Sequence, residues 1–305
     1  MDHRSGDPAE HRAGIRDFLA SRRAKITPEQ AGLPTSGRRR VPGLRREEVA
    51  VLAGVSTEWY TRLEKGHIGG VSEDVLDAVA QALRLDEDER TYLFDLARSA
   101  RPARRTPPRR KDVAIPPSVQ WLLDSMTMSA AFVRNGRPDI VASNALGRAL
   151  LTRMFDSRTT DQHGCPNFAR YFFLDPGSQD FFVDWEAGAS ATVALLRAEA
   201  GREPYDRGLR DLVGELSTLS PEFRTMWATH DVRIRHGGTK RLEHPEVGRL
   251  ELVYRSLDLP VANRAVHDLT FFTAEPDTAD EERLRLLASW TATQSRAPEP
   301  TRHPH

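Results

Sequence analysis

The sequence of 305 residues has a single cysteine, Cys165. One cysteine excludes an intramolecular disulfide and so argues against a small secreted fold that disulfides hold together. Apolar runs of the ~20 residues that a membrane-spanning helix needs are also missing. The chain starts with the polar residues Met1-Asp2-His3-Arg4 rather than with an apolar signal segment. These absences predict a cytoplasmic protein without a membrane partner.

The sequence has no net charge, because 44 Lys and Arg residues balance 44 Asp and Glu residues. The two parts of the chain nevertheless differ in net charge. Residues 1–111 hold 22 basic against 17 acidic side chains, whereas residues 112–305 hold 22 against 27. Only the first part is expected to attract a polyanion. The length and the 39% share of hydrophobic residues fit a globular protein of two domains.

Motifs for catalysis are scarce as well. The chain has no Gly-rich phosphate loop and no Gly-x-Ser-x-Gly nucleophile elbow. Its spaced histidines His230, His236 and His244 lack the ligand spacing of a zinc site. The segment around Cys165 matches no nucleophile motif. The sequence therefore predicts a protein that is not an enzyme and that has no cofactor and no metal site.

Hydrophobic periodicity and turn residues predict two domains between two tails. The expected segments are a disordered tail at 1–10, a five-helix bundle at 11–98, a linker at 99–117, a second domain at 118–292 and a disordered tail at 293–305. The linker combines five prolines with arginines, which favours an extended spacer. Its arginines either contact the phosphates of such a polyanion or simply keep the spacer solvated.

The second domain mixes strand and helix patterns. Asn135-Gly136 is a strong hairpin turn signal between two short strands, 130–134 and 138–142. A helical block is expected over about 143–229. Three strand-like runs (240–244, 249–257 and 266–274) and a last helix at about 279–290 follow it. The fold class predicted for the whole chain is therefore mixed: an α-helical bundle, then an α+β domain with an antiparallel five-stranded sheet.

The most informative stretch runs from Arg45 to Gly66. Gly54 stands where the first helix of a pair ends and where the backbone needs a positive φ. Ser56 is placed to cap the second helix. Tyr60 and Leu63 lie three residues apart and face inward, and Gly66 stops the helix. This spacing is typical of a helix-turn-helix.

The opposite face of the second helix is polar and suits the major groove of DNA. Arg62 can reach a guanine edge, Glu58 a cytosine amino group and Thr57 a base edge. Residues 11–70 hold 12 basic and 6 acidic side chains, which supports contact with phosphates. The candidate DNA-binding residues are Arg38, Arg39, Arg40, Arg45, Arg46, Ser56, Thr57, Glu58, Thr61, Arg62 and Lys65.

These residues resemble a known family. The pattern Val49-Ala50-x-x-Ala53-Gly54-Val55-Ser56 through Leu63-Glu64-Lys65-Gly66 resembles the XRE (Cro/repressor-type) helix-turn-helix. Over about residues 11–290, the chain resembles the MmyB-like actinobacterial transcriptional regulators. The motifs of its second half that carry this resemblance are Asp175-Pro176, Trp185-Glu186, Leu196-Arg197-Ala198-Glu199-Ala200-Gly201-Arg202, Ser220-Pro221-Glu222-Phe223, His244-Pro245-Glu246-Val247-Gly248 and Ala274-Glu275-Pro276.

The resemblance implies that the second domain has a PAS-like fold and binds a ligand. One position departs from the family, which commonly has an aromatic residue before the asparagine where this chain has Ser143-Asn144. A residue that shapes the pocket is thus smaller here, and the identity of the ligand cannot be carried over from the family.

A ligand pocket needs a few polar groups in an apolar wall. An apolar wall suits a small lipophilic ligand, such as an acyl chain or a hydrophobic metabolite, although each aromatic residue also fits a plain core role. The candidate ligand-binding residues are Phe132, Asn144, Asn167, Arg170, Phe172, Trp185, Trp227, His230 and Tyr254.

Together these features predict a transcription regulator that binds double-stranded operator DNA as a homodimer and senses a small lipophilic ligand. Two alternatives stay open. The second domain could serve dimerisation alone, or the helical bundle could dock a protein instead of DNA. The last helix, with Leu284, Leu287 and Trp290, is the expected dimer surface.

Overall fold

The computed structural model describes residues 8–34, 43–100, 115–159, 165–260 and 266–294. The chain divides into two compact units. The first, called the helical unit, comprises residues 1–110, 193–215 and 224–234. The second, called the sheet unit, comprises residues 111–192, 216–223 and 235–305.

Up to residue 100, the described part of the helical unit holds five helices, as the sequence predicts. They are α1 (Pro8–Lys25), α2 (Arg46–Leu52), α3 (Thr57–Glu64), α4 (Glu73–Ala82) and α5 (Glu87–Ser99). The apolar stripe predicted for α1, namely Ile15, Phe18 and Leu19, is fully buried. Apolar side chains of all five helices form one core because each helix presents one apolar face.

Local signals around α3 act as the sequence predicts. Gly54 has a φ of +67°, which only glycine adopts without strain. The hydroxyl of Ser56 accepts a hydrogen bond of 3.1 Å from the backbone N–H of Trp59 and so caps α3. Ser72 also stands at the N-cap of α4, but its side chain makes no capping hydrogen bond.

The sheet unit contains a five-stranded antiparallel sheet in the order β2-β1-β5-β4-β3. The strands are β1 (Ala130–Arg134), β2 (Ile140–Ser143), β3 (Gly237–His244), β4 (Gly248–Pro260) and β5 (Val266–Thr273). The helices of this unit are α6 (Pro117–Ser125), α7 (Ala145–Leu150), α8 (Thr152–Phe155), α9 (Phe168–Leu174), α10 (Gly177–Phe181) and α14 (Ala279–Gln294). This antiparallel α+β arrangement confirms the predicted fold class.

The two faces of the sheet follow from the alternation of side chains along each strand. On the outer face, Leu123 of α6 packs with Ala131, Val133 and Leu269. The opposite face is called the inner face. Strand pairing brings to it Phe132, Lys240, Leu252, Tyr254, Thr270 and Phe272.

Three further helices contribute residues to both units: α11 (Trp185–Arg202), α12 (Arg207–Leu219) and α13 (Pro221–Ala228). Residues 193–215 and 224–234 therefore fold with the N-terminal helices although the sequence groups them with the second domain. Val232 is 1% exposed within the core of the helical unit.

The element ends differ slightly from the expected tails and linker. Helix α1 begins at Pro8, inside the predicted tail, because proline fits the first position of a helix. Helices α5 and α6 include Ser99 and Pro117, the outermost residues of the predicted linker. The linker arginines 101–110 and the loop arginines Arg38, Arg39 and Arg40 lie outside the described residues. No described helix is both long and apolar enough to cross a bilayer.

Candidate functional site

The exposed face of α3 carries the residues that the sequence assigns to base contacts. Tyr60 and Leu63 point into the core and are 0% and 1% exposed. Thr57, Glu58, Arg62 and Lys65 are exposed, and Thr61 is half-buried. Within the described ranges, no hydrogen bond or ion pair engages these five side chains. Helix α3 thus presents a row of polar groups that are available to a ligand, as a helix in the major groove requires.

A buried carboxylate fixes the C-terminal end of α3. Glu64 is 0% exposed, and both of its oxygens accept hydrogen bonds of 2.9 Å from the guanidinium of Arg23 on α1. Arg46 at the start of α2 donates a third hydrogen bond, of 3.0 Å, to Oε1. Arg23 also donates to the carbonyl of Leu44 at 2.8 Å. One carboxylate therefore ties α3 to both α1 and α2. Glu64, Arg23 and Arg46 are together called the Glu64 clamp.

The electrostatics of the clamp favour the charged pair. Burial by itself raises the pKa of Glu64, but the hydrogen bonds and charges of Arg23 and then Arg46 outweigh burial and lower the pKa below its ordinary value. Hydrogen bonding to Glu64 in turn raises the pKa of Arg23. The clamp thus keeps its ion pairs at neutral pH.

Two glycines bring the helix-turn-helix into close contact with α1. A Cβ atom on Gly66, which has a φ of +94°, would lie 2.7–2.8 Å from the backbone of Arg12. A Cβ atom on Gly43 would lie 2.6 Å from backbone atoms of Arg23 and Ala24. Any larger residue at either position would push α1 away, so α1 is the platform that holds α2 and α3.

The two arginines at the start of α2, Arg45 and Arg46, have different surroundings. Arg45 is exposed, and its guanidinium pairs only loosely with Glu47, at 3.4 Å. Arg46 is tied to the Glu64 clamp although its side chain is 47% exposed. Both side chains remain predicted phosphate contacts, but Arg46 also has a structural role that the sequence analysis missed.

In the sheet unit, the inner face carries a row of aromatic rings. The ring centroid of Phe132 lies 5.2 Å from that of Phe168 on α9 and 6.0 Å from that of Phe272. Tyr254 continues the row, at 6.0 Å from Phe272. Phe132 and Tyr254 are candidates from the sequence, so the structure brings two of the predicted ligand contacts onto one face.

A cation stands at the end of this row. The ammonium of Lys240 on β3 lies 5.8 Å from the centroid of the Tyr254 ring. It is half-buried, and in the described part of the chain it has no carboxylate or hydrogen-bond partner. Burial and then the charge of Arg134 lower the pKa of Lys240. The charge of Asp184 opposes this shift. Arg134 itself pairs with Asp268 at 2.9 Å, so of these two cations only Lys240 has no ion pair among the described residues.

Helices α9 and α11 approach the same lysine. A Cβ atom on Gly188 of α11 would lie 2.6 Å from the ring of Phe172 and 3.2 Å from Nζ of Lys240. Phe172 stacks on Phe182 with ring centroids 4.5 Å apart. Phe172, predicted from the sequence, thus lies in one group with Lys240, and Gly188 has no side chain because the Phe172 ring and the Lys240 ammonium fill the space beside it.

The predicted polar ligand contacts Asn144 and Asn167 are used by the fold. Asn144 Oδ1 accepts from the N–H groups of Ala131 and Gly147, and its Nδ2 donates to the carbonyls of Met126 and Ser129. All four of its hydrogen-bonding positions are therefore occupied by backbone groups.

Asn167 is 0% exposed and caps α9 by accepting from the N–H of Arg170. It donates to the carbonyl of Arg137 and to Asp139, each at 2.7 Å. Trp185 donates its indole N–H to Ser178 and to the carbonyl of Phe172. Arg170 is 9% exposed on α9. Each of these side chains thus has a place in the scaffold of the sheet unit, and their contact with a ligand stays a prediction.

Trp227 and His230, the remaining predicted ligand contacts, belong to the helical unit rather than to the inner face. The guanidinium of Arg197 lies 4.1 Å from the centroid of the Trp227 ring and 3.0 Å from Nδ1 of His230. Burial, followed by the charge of Arg197, lowers the pKa of His230 to about 4. The imidazole is therefore neutral at pH 7.

Sequence signals for the missed residues existed. Glu64 follows Tyr60 by four positions, so helical spacing puts it on the buried side of α3. Lys240, Leu242 and His244 alternate along β3, and the burial of Leu242 and His244 puts Lys240 on the inner face. Both inferences needed a firm register for the element, which the sequence alone did not supply.

Comparison with known proteins agrees with this arrangement. The family model of the MmyB-like transcription regulator ligand binding domain matches residues 115–287, and a helix-turn-helix domain model matches residues 17–93. None of the functionally characterised proteins compared with the chain matches it. The first model covers more than half of the chain, so the protein belongs to the MmyB-like transcription regulators and joins a DNA-binding helix-turn-helix domain to a ligand-binding domain.

Proposed function

We propose that the regulator binds its operator by placing α3 in the major groove. The observation that carries this proposal is the exposed row Thr57, Glu58, Thr61, Arg62 and Lys65, which has no partners in the described part of the protein. Arg62 is the main base-reading residue, because a guanidinium can donate two hydrogen bonds to one guanine edge. Arg45 contacts a phosphate and adds affinity without sequence information.

The test starts with selection of genomic DNA fragments by the purified full-length protein at two salt concentrations. A short two-fold motif that is enriched at both salts supports the proposal. Enrichment that disappears at the higher salt without any motif shows electrostatic binding only. If no DNA is enriched, the helical bundle is a protein-docking module instead.

The selected motif then allows a test of Arg62. Arg62→Ala is expected to weaken binding about 30-fold and to relax specificity at one base position, because a base contact contributes about 1–3 kcal/mol. Arg207→Ala is the matched control, because Arg207 is an exposed arginine on α12 that forms an ion pair with Asp211. An equal loss of affinity in both variants would refute the assignment of Arg62.

For the second domain, we propose that the ligand is a lipophilic molecule with an acidic group. The apolar part would lie along Phe132, Phe272 and Tyr254, and the acidic group would meet the ammonium of Lys240. A half-buried cation without a partner is unfavourable, and an anionic ligand supplies the missing charge. This reasoning favours sensing over a domain that serves dimerisation alone.

Two fluorescent probes with the same ring system test this assignment. The probes are 1-anilinonaphthalene-8-sulfonate, which is anionic, and N-phenyl-1-naphthylamine, which is neutral. Both are expected to bind in a saturable way, and Lys240→Met should weaken only the anionic probe, by about tenfold. If neither probe binds, the alternative of a ligand-independent regulator is supported. If Lys240→Met affects both probes equally, Lys240 does not select charge.

We further propose that the regulator acts as a homodimer, because helix-turn-helix proteins bind two-fold operators with half-sites about one helical turn apart. The expected dimer surface contains fewer of the residues of α14 that the sequence suggests for it. Leu284 and Leu287 of α14 are 1% and 3% exposed, whereas Trp290 and Leu286 are 43% and 53% exposed. Sedimentation of the full-length protein with and without operator DNA measures the stoichiometry, and one monomer per two-fold motif would contradict the proposal.

A further inference from the structure

Residues 227–234, here called the strap, complete the core of the DNA-binding helices. Val232 of the strap is 1% exposed among apolar side chains of the helical unit. These residues lie within the stretch 115–287 that matches the ligand-binding family model. A piece of the ligand-binding module is therefore part of the folded helical unit.

Buried polar groups hold the strap against α1 and α5. Arg22 of α1 forms a 2.5 Å ion pair with Glu89 of α5, and their side chains are each 6% exposed. The same guanidinium donates to the carbonyl of His230. Because a buried cation needs its partners, release of the strap would take one of its two acceptors from Arg22.

The ends of the strap are fixed as well. At the first end, Arg197 of α11 donates to the carbonyl of Trp227 and lies over its ring. At the other end, Arg233 pairs with Asp86 at 2.7 Å, and the N–H of Ile234 donates to Asp88 at 2.9 Å. The strap thus connects α11 to the first turn of α5.

A continuous set of contacts leads from α11 to the DNA-reading helix. The ring of Tyr92 on α5 lies against Gly201 of α11, where a Cβ atom would come within 2.3 Å of it. On its other side, this ring packs on Phe18 of α1 with centroids 4.9 Å apart. Phe18 and Arg23 share α1, and Arg23 holds Glu64 of α3. Each step is thus a direct contact or runs along the single helix α1.

We propose that the strap and the end of α11 set the position of α1 and thereby, through the Glu64 clamp, the position of the recognition helix α3. Helix α1 links the strap to α3, since Arg22 contacts the strap and Arg23 contacts α3. This coupling through α1 is called the lever. A ligand that favours the seated strap favours DNA binding, and DNA favours the seated strap to the same extent. The regulatory part of this inference rests on the proposed function.

A steric wedge tests the lever in the intact protein. Gly201→Ala places a methyl group against the buried ring of Tyr92, whereas Gly214→Ala makes the same chemical change on α12, where nothing lies within 4 Å of the added atom. Neither residue belongs to α3 or to the Glu64 clamp. Hydrogen exchange, followed by mass spectrometry on the full-length protein, then reports on each helix of the unit.

The expected result is at least about tenfold faster exchange of the amides in 57–64 for Gly201→Ala and no change for Gly214→Ala. Helix α4 is the internal reference, because it contributes no residue to the strap contacts or the Glu64 clamp. Equal acceleration in all five helices would mean that the wedge only destabilises the unit, and would overturn the proposal. Acceleration confined to α5 and α11 would overturn it too.

A second variant covers the case in which the Tyr92 ring simply turns aside. Val232→Ala removes two methyl groups from the strap core without adding any steric contact. It should accelerate exchange in 57–64 in the same way, and if both variants leave that segment unchanged the lever does not exist. Binding of the selected operator, measured in parallel, distinguishes a failure of the lever from a failure of the DNA-binding proposal. Faster exchange in 57–64 together with an absence of any operator would refute the DNA-binding proposal and leave the lever standing.

Discussion

The exposed face of α3 and the inner face of the sheet use polar side chains in opposite ways. On α3, Thr57, Glu58, Arg62 and Lys65 are exposed and have no partners in the described part of the protein. In the sheet unit, the predicted polar contacts Asn144 and Asn167 are 4% and 0% exposed and bond to backbone groups and Asp139. Polar groups near a site are therefore available to a ligand in the first region and occupied by the fold in the second.

The comparison teaches which polar residues to associate with binding. A buried asparagine with all its positions filled stabilises its surroundings, since losing it would leave backbone groups unsatisfied. Lys240 differs from both asparagines, because its ammonium has no hydrogen bond or ion pair among the described residues and contacts only the ring of Tyr254. Glu64 is the exception on α3, because its carboxylate is fully engaged.

The largest effect on stability is expected from a change of Glu64, the fully engaged carboxylate of α3. Glu64→Gln removes the charge that neutralises Arg23 and Arg46, so it should lower the free energy of unfolding by about 3–5 kcal/mol. Glu58→Gln, on the exposed face of the same helix, should change it by less than about 0.5 kcal/mol. Urea denaturation of both variants measures the difference. Similar stabilities would show that the clamp adds nothing to the fold.

The Glu64 carboxylate also makes the stability of the protein depend on pH. Its folded pKa is lowered from 4.5, so its stabilising contribution is present above about pH 4.5 and is lost as the pH falls through the folded pKa. The Glu64→Gln variant should lose part of this acid dependence. Urea denaturation between pH 3 and pH 7 measures the free energy of unfolding of both proteins. If the two values change with pH in parallel, the role given to Glu64 is contradicted.

The next effect is expected in the sheet unit. Asn144→Ala leaves two N–H groups and two carbonyls without partners, so it should destabilise the protein by about 3 kcal/mol. Since Asn144 has no free position for a ligand, the probe affinities of the folded variant should stay unchanged. Loss of probe binding at wild-type stability would give Asn144 back its predicted role in the site.

A smaller effect is expected to distinguish Arg45 from Arg46, the two arginines at the start of α2. Arg45→Ala should weaken binding to every DNA sequence alike and reduce the slope of log K against log salt by about 1. Arg46→Ala should also destabilise the fold, by about 1 kcal/mol, because one of the two arginines on Glu64 is lost. Binding titrations at several salt concentrations and urea denaturation give both quantities. Identical behaviour of the two variants would remove the distinction.

The smallest stability effect is expected from Lys240→Met. Burial lowers the pKa of Lys240, so the charged form gains nothing from its site. The variant should be as stable as wild type or slightly more stable at pH 7, and thermal denaturation measures this. A clear loss of stability would indicate that the ammonium supports the fold instead of awaiting an anion.

Much of the fold could be predicted from the sequence. Gly54, Ser56 and Gly66 place the helix-turn-helix within a residue or two, because caps and positive φ angles are local requirements. Asn135-Gly136 likewise marks the turn between β1 and β2. The ligand contacts were harder to predict, since an apolar pattern reports burial and does not tell a pocket wall from a core.

The sequence by itself determined the elements of this protein, the exposed face of α3 and the family to which it belongs, since periodicity, caps and motif spacing depend on neighbouring residues. Only the tertiary structure decided that Glu64 clamps α3, that Lys240 has no ion pair among the described residues and that the strap folds with the helical unit. The partners in those contacts are far apart in the chain, as with Arg22 and His230. Whether a polar group is satisfied depends on such partners, and no local pattern encodes them.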